Sequence, residues 1–346
     1  MSTELMSLSY NEILALTEQL GYPSFRGKQL WQWVCKGTEI NDMSNLPAAF
    51  RQALTDNGYS LFIPKIFQKL VSKVDGTVKY LFEMSDGQLI ESVIMKYEHG
   101  NTICVSCQAG CRMGCRFCAS TLNGLVRSLT SSEILGQIIA AQKDLGIRIS
   151  NIVMMGIGEP LDNYDNVIEF LHKVNDPDGL NIGYRHISLS TCGVVDGIKK
   201  LADEELPITL SISLHCIDNE KRKELMPITN KWSVDELLSA CNEYFFKTGR
   251  RISFEYTLIS KENDSIAQAV QLAKGLRSKL KGMPIHVNLI PLNAVNERSF
   301  EKSSTSSVNA FKDTLIKHGI NATVRRRLGP DINASCGQLR LNNGKA

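Results

Sequence analysis

With 346 residues, 43% of them hydrophobic, and a net charge of +3, the chain has the length for one large core and a small accessory domain and is not the composition of a disordered protein. A charge balance so near neutral neither demands nor excludes a nucleic-acid partner, because what counts is the clustering of basic residues on one face. No stretch approaches the roughly 20 apolar residues of a membrane span, and the N-terminus lacks a basic start and an unbroken apolar run, so a cytoplasmic protein with no membrane partner is expected.

The chain opens on helical patterning: Tyr10 to Leu20, ended by Gly21 and Pro23, then Gly27 to Cys35, then Pro47 to Asn57, ended by Gly58. This module, residues 1–75, carries a basic cluster of Arg26, Lys28 and Lys36 around Trp31 and Trp33. Two alternating apolar runs around Asp86 and Gly87 predict a tight hairpin, and residues 76–100 are expected to link two domains. From Asn101 onward, short apolar runs alternate with amphipathic stretches. The runs are 102–107, 151–158, 186–191, 208–214, 251–259 and 286–292. A helix starting at Ser131 is announced by the capping box of Thr130 and Glu133, and another runs through Val167 to Val174. Six strand–helix units predict an α/β fold over residues 101–346, a parallel sheet with right-handed crossovers curled into a full or partial barrel. Such folds build their sites in the loops leaving the C-terminal ends of the strands. A second basic cluster, Arg325, Arg326 and Arg327, lies near the end of the chain.

Ten cysteines stand at 35, 104, 107, 111, 115, 118, 192, 216, 241 and 336, five of them within fifteen residues. A disulfide scaffold is small and loop-rich, so metal or redox chemistry is the better reading of this long, helix-patterned chain. Cys111, Cys115 and Cys118 are spaced C-x-x-x-C-x-x-C in the loop after the first run, close enough to grip three irons of a four-iron cluster. The fourth iron then remains open to the amino and carboxylate groups of S-adenosylmethionine, whose reductive cleavage releases a 5'-deoxyadenosyl radical. Phe117 would shield such a cluster. The competing reading is a zinc site pairing Cys104 and Cys107 with Cys115 and Cys118, but only seven residues separate the two pairs, where zinc ribbons have roughly a dozen or more.

MMGIGEP, residues 154–160, ends an apolar strand with glycines that let backbone approach a ligand, and Glu159 adds a charge that could meet an ammonium group. Taken singly, Glu91 reads as a solvated strand charge, and Cys35, Cys104, Cys192, Cys216, Cys241 and Cys336 as small buried hydrophobes.

In order along the chain, FRGKQLWQWV, IESV, CVSCQAGCRMGCRFCAS, LVRSLTSSEI, MMGIGEPLDN, LSTCGVV, SISLHC, MPI, FEYTLI, VNLIPLN and DINASCGQL resemble the RlmN/Cfr family of radical S-adenosylmethionine RNA methyltransferases. The resemblance covers nearly the whole chain. It implies a partial barrel of six strand–helix units preceded by a helix-hairpin-helix-like RNA-binding domain. It also implies that Cys111, Cys115 and Cys118 hold a 4Fe-4S cluster, while Gly158, Glu159, Ser190, Ser213, Leu214, His215 and Asn293 bind S-adenosylmethionine. By the same resemblance Cys336 becomes S-methylated, Cys104 resolves the RNA adduct through a transient disulfide with Cys336, and Glu91 accepts a proton. Two molecules of S-adenosylmethionine are used per turnover, one to methylate Cys336 and one to generate the radical that activates the S-methyl group. The implied partners are 23S rRNA, transfer RNA and an electron donor such as flavodoxin or ferredoxin, acting on a monomer. A target adenine must leave its stack to enter a barrel, and Arg26, Lys28 and the Arg325–Arg327 run are candidate phosphate contacts.

The proline in GEP and the VNLIPLN text favour carbon 2 of adenine as the methyl acceptor over the Cfr-type reaction at carbon 8. A non-catalytic RNA-binding protein with a structural metal would not need Cys104 and Cys336. The chain departs from the family at Cys107, where Ser or Thr is usual, and at Asn333 and Ser335, where Asp and Ala are usual. Cys107 is thereby a possible rival to Cys104 for the disulfide.

Overall fold

A computed structural model describes residues 3–293, 295, 297–335 and 338. Three helices form the N-terminal module: α1 (Tyr10–Gln19), α2 (Ser24–Cys35) and α3 (Ala48–Asp56). At the start of α1, Ser9 and Glu12 cap each other reciprocally, which satisfies amide groups the first turn leaves unpaired. Leu30, Trp31, Val34 and Phe50 pack inside the module, so Trp31 belongs to its core rather than to the basic surface. Trp33 stays partly exposed with the Lys36 ammonium 5.1 Å above its ring.

One ten-stranded sheet follows, its strands ordered in space as in sequence. The first four form an antiparallel meander: β1 (Lys65–Val71), β2 (Val78–Glu83), β3 (Leu89–Tyr97) and β4 (Gly100–Cys104). The rest run parallel to β4: β5 (Ile149–Met154), β6 (Ile187–Thr191), β7 (Thr209–Ser213), β8 (Ile252–Leu258), β9 (His286–Pro291) and β10 (Asn321–Val324). The hairpin expected between two domains is therefore continuous with the barrel sheet, with Val93 opposite Cys104. Because β1 and β10 end the hydrogen-bonded order, the barrel is partial.

Crossovers are made by α4 (Ser131–Leu145), α5 (Tyr164–Asn175), α6 (Val195–Asp203), α7 (Asn219–Leu225), α8 (Val234–Thr248), α9 (Ile266–Lys279) and α10 (Thr305–Lys317). Strand alternation divides each parallel strand between two environments. Leu210 and Ile212 of β7 and Ile252, Phe254, Tyr256 and Leu258 of β8 join the main apolar core. The intervening residues are polar, and Ser213, Glu255, Asn288 and Thr323 lie in register across β7, β8, β9 and β10. A polar face inside an otherwise apolar sheet is where a site can be built.

Candidate active site

The loop after β4 crosses to a short antiparallel pair, Gln108–Gly110 with Leu125–Ser128, and hangs the three clustered cysteines between them. The pair closes tightly because Gly110, at φ +80°, would bring a Cβ within 1.9 Å of the Gly124 carbonyl oxygen. The Cys111 amide donates to that same oxygen at 2.9 Å. The Thr121 hydroxyl donates to the carbonyls of Cys115 (3.1 Å) and Cys118 (3.0 Å), so the loop is held by its own backbone. Cys111, Cys115 and Cys118 all line one cavity of about 940 Å³, measured out to open solvent.

Burial pushes the Cys111 thiol up to about 12 and the Cys115 thiol well above its ordinary value, and the neighbouring cysteines add to both shifts. Left alone these groups stay neutral thiols, and three of them turned into one cavity are a donor set that a cationic cluster could engage as thiolates. Zinc shared with Cys104 and Cys107 does not fit. Cys107 sits in the main core with its sulfur 3.7 Å from the Ile157 carbonyl oxygen, and Cys104 lines a different cavity.

The second wall is the loop after β5. Gly156 and Gly158 allow it to lie against the loop after β4, since a Cβ at Gly158 would come within 2.6 Å of the Gln108 side chain. The Glu159 amide donates to the Gln108 side-chain oxygen at 2.9 Å. The buried Glu159 carboxylate accepts from the amides of Leu161 (3.1 Å) and Cys192 (2.7 Å), tying this loop to the one after β6, and burial raises its pKa. It keeps lone-pair sites for a ligand ammonium group.

Ser190 and Ser213 reach the cavity from the ends of β6 and β7. Beyond Ser213 the chain turns through His215 at φ +55°. The His215 ring meets Phe117 of the cysteine loop edge-on, centroids 4.8 Å apart, and its Nδ1 accepts from the Thr257 amide at 2.9 Å. Burial, with the nearby Arg222 charge, lowers its pKa to about 3, so the ring is neutral with its proton on Nε2. The Leu214 side chain packs in the main core, so only its backbone could serve a cofactor. The Leu214 amide donates to the Glu255 carbonyl at 3.0 Å.

A second cavity adjoins the first, and Met155, Ile290, Asn293 and Arg325 line both. Cys104 faces it together with Arg326, Arg327, Ala334 and Ser335. The segment that delivers Ala334 and Ser335 is clipped to the β1–β2 turn. Ser72 and the Lys73 amide donate to Asp331 at 2.6 and 2.9 Å, and the Gly329 amide donates to Asp75 at 2.9 Å. Cys336 lies outside the described residues.

Glu91 is buried, not solvated, and lines neither cavity. It shares a strand face with Val93 and Met95, which do line the second cavity, and pairs with the Lys79 ammonium at 2.9 Å. Lys79 also donates to the Asn333 carbonyl at 3.3 Å. Of the surface cations, Lys28 is paired with Asp178 at 2.9 Å and Arg26 donates to the Asn45 carbonyl at 2.8 Å.

Sequence reasoning missed Glu255 and Arg222. Glu255 lines the first cavity and accepts from Asn288 at 2.8 Å, and the polar alternation Ser253, Glu255, Thr257 within RISFEYTLI was its signal. Arg222 sits in the charged run NEKRKEL, where nothing sets it apart from its neighbours.

A Radical SAM superfamily model matches residues 105–273, and a ribosomal RNA large subunit methyltransferase N-terminal domain model matches residues 3–59. The chain is similar to the probable dual-specificity RNA methyltransferase RlmN of Clostridium novyi (strain NT), 53% identical over 340 residues and 98% of each chain. It is similar to the protein of the same description from Clostridium tetani (strain Massachusetts / E88), 53% identical over 99% of this chain and 98% of that one. Among solved structures it resembles a radical SAM methyltransferase from Sphaerobacter thermophilus, with a TM-score of 0.92 and 38% identity over 99% of both chains. A 4Fe-4S cluster and S-adenosylmethionine are the cofactors that this kinship implies.

Proposed function

The chain belongs to the RlmN family of radical S-adenosylmethionine methyltransferases, and on that premise we propose that it methylates carbon 2 of adenine in 23S ribosomal RNA and in transfer RNA. The observation that carries the reading is the pair of adjoining cavities. One gathers Cys111, Cys115 and Cys118 with Glu159, Ser190, Ser213 and His215, and the other gathers Cys104 with Ser335, the residue before Cys336. The exposed Arg326 and Arg327 at the second cavity suit the phosphates flanking a flipped base.

When bound, the cluster and S-adenosylmethionine would supply a radical able to take a hydrogen atom from a methyl group, and would take back the one electron left unpaired when the resulting carbon joins the ring. The chain's own residues do the rest. Carbon 2 of adenine is electron-poor and cannot displace a methyl group from a sulfonium, so a nucleophilic sulfur, the Cys336 thiolate, accepts it first. Once that carbon is joined to the ring, the ring proton must pass to a base; Glu91, two residues before the cavity-lining Val93 on the same strand face, is the proposed acceptor and must turn from its Lys79 ion pair toward the cavity to take it. The Cys104 thiolate then attacks the Cys336 sulfur, an S–S bond forming as the S–C bond breaks, and the electron pair goes to the carbon that is protonated as the product methyl group. Cys107, buried in the core and outside both cavities, is removed from competition for that disulfide.

The test is a denaturing gel of enzyme incubated with S-adenosylmethionine, reductant and an rRNA fragment. Cys104→Ala should accumulate a covalent protein–RNA species and Cys336→Ala should form none. Adduct formation by Cys336→Ala, or free turnover by Cys104→Ala, would contradict the assignment.

A further inference from the structure

Helix α7 is almost entirely charged, and its other ionic residues stay at the surface, where Lys221 pairs with Glu224 at 3.2 Å and Lys223 with Glu220 at 2.8 Å. Arg222 alone turns inward and is 1% exposed. Its Nε donates to the Leu214 carbonyl at 2.9 Å, and its Nη2 to the carbonyls of Cys192 (2.7 Å) and Ser213 (3.0 Å). Its Nη1 donates to the Thr229 hydroxyl at 2.7 Å. Every one of these acceptors is neutral, and among the described residues no carboxylate lies within ion-pair distance of the guanidinium. Hydrogen bonds to carbonyls satisfy the donors but leave the charge itself uncompensated, which is a costly way to bury an arginine.

The place of that charge accounts for its retention. The cysteine loop is bonded to the end of the same helix through the Arg116 amide and the Leu225 carbonyl at 2.9 Å. Cys115 and Met226 share an apolar cluster with Cys192, whose carbonyl Arg222 holds. The carbonyls of Ser213 and Leu214, also held by Arg222, immediately precede His215, so the same fork fixes the turn that sets the imidazole against Phe117.

We propose that Arg222 is a positioning residue that acts as the fixed counter-charge of the iron–sulfur site. A cluster on three thiolates gains further negative charge when it is reduced. In a desolvated setting a nearby permanent cation offsets that gain, which holds the reduction potential within reach of a physiological donor. The fork geometry and the charge are separable functions of one side chain. Thr229 and the carbonyls hold the fork in place, while the cluster needs only the charge.

The inference rests on the assignment of Cys111, Cys115 and Cys118 as cluster ligands, and the experiment keeps the two apart. Anaerobically reconstituted wild type, Arg222→Gln, Arg222→Met, Arg222→Lys and Thr229→Val are compared for iron content, thermal midpoint and cluster reduction potential. Arg222→Lys and Thr229→Val should melt lower than wild type yet keep its potential, whereas the neutral variants should shift to more negative potential. If the neutral variants fail to take up iron while Arg222→Lys does so, the requirement for charge likewise stands. Equal potentials in the neutral variants and wild type, or failure of Arg222→Lys together with them, would overturn the proposal. Cys115→Ala is run alongside: a wild-type iron complement there would overturn the ligand assignment itself, and the proposal with it.

Discussion

His215 shows what burial does to one residue at the site. Its imidazole is held neutral by desolvation first and by the Arg222 charge second, with a pKa of about 3 against an ordinary value of 6.5. Between those values the unfolded chain binds a proton that the folded chain refuses, so this stabilisation is complete above pH 6.5 and is lost as the pH falls. The slope is about 1.4 kcal/mol per pH unit. The thermal midpoint of wild type should therefore fall between pH 7 and pH 5 more steeply than that of His215→Gln. Parallel curves would contradict a neutral, buried imidazole. None of this was legible in the sequence, which marked His215 through the SISLHC motif but gave no account of its surroundings. Cys107 is the converse case, since a thiol that looked like a rival in the sequence proves to be part of the core.

At the scale of elements, the legible parts were those with a strong period or a clear stop. The helices of the N-terminal module, the box-capped start of α4 and the six parallel strands β4 to β9 follow the apolar patterning to within a few residues. The edge strands did not. In β1, six of seven residues are exposed, so KIFQKLV carries no buried face to read, and β10 is the four-residue NATV with Ala322 alone buried. Edge strands are held by backbone pairing, which leaves little pattern in the side chains. The short pair that frames the cysteine loop was equally silent, although it depends on one residue. Gly110→Ala must accept φ +80°, a penalty of about 1–2 kcal/mol, and also push against the Gly124 carbonyl. The variant should retain its helical circular dichroism while losing iron and melting lower, and a full iron complement at the wild-type midpoint would contradict this account of the loop.

Over the whole molecule, one sheet carries both halves of the chemistry. The parallel strands end at the cysteine loop and the first cavity, and the meander extends the same sheet to bring Cys104 and the clip for the C-terminal segment alongside. The sequence held the order of the motifs, but only the register of β3 on β4 places Val93 beside Cys104. Nor could the sequence reveal that two cavities share a wall. The proposed reaction makes a single prediction about product. Anaerobically reconstituted enzyme, given S-adenosylmethionine, a reductant and unmodified 23S ribosomal RNA, should yield 2-methyladenosine by mass spectrometry, and Cys336→Ala should yield none. Detection of 8-methyladenosine instead, or of 2-methyladenosine from Cys336→Ala, would contradict the account.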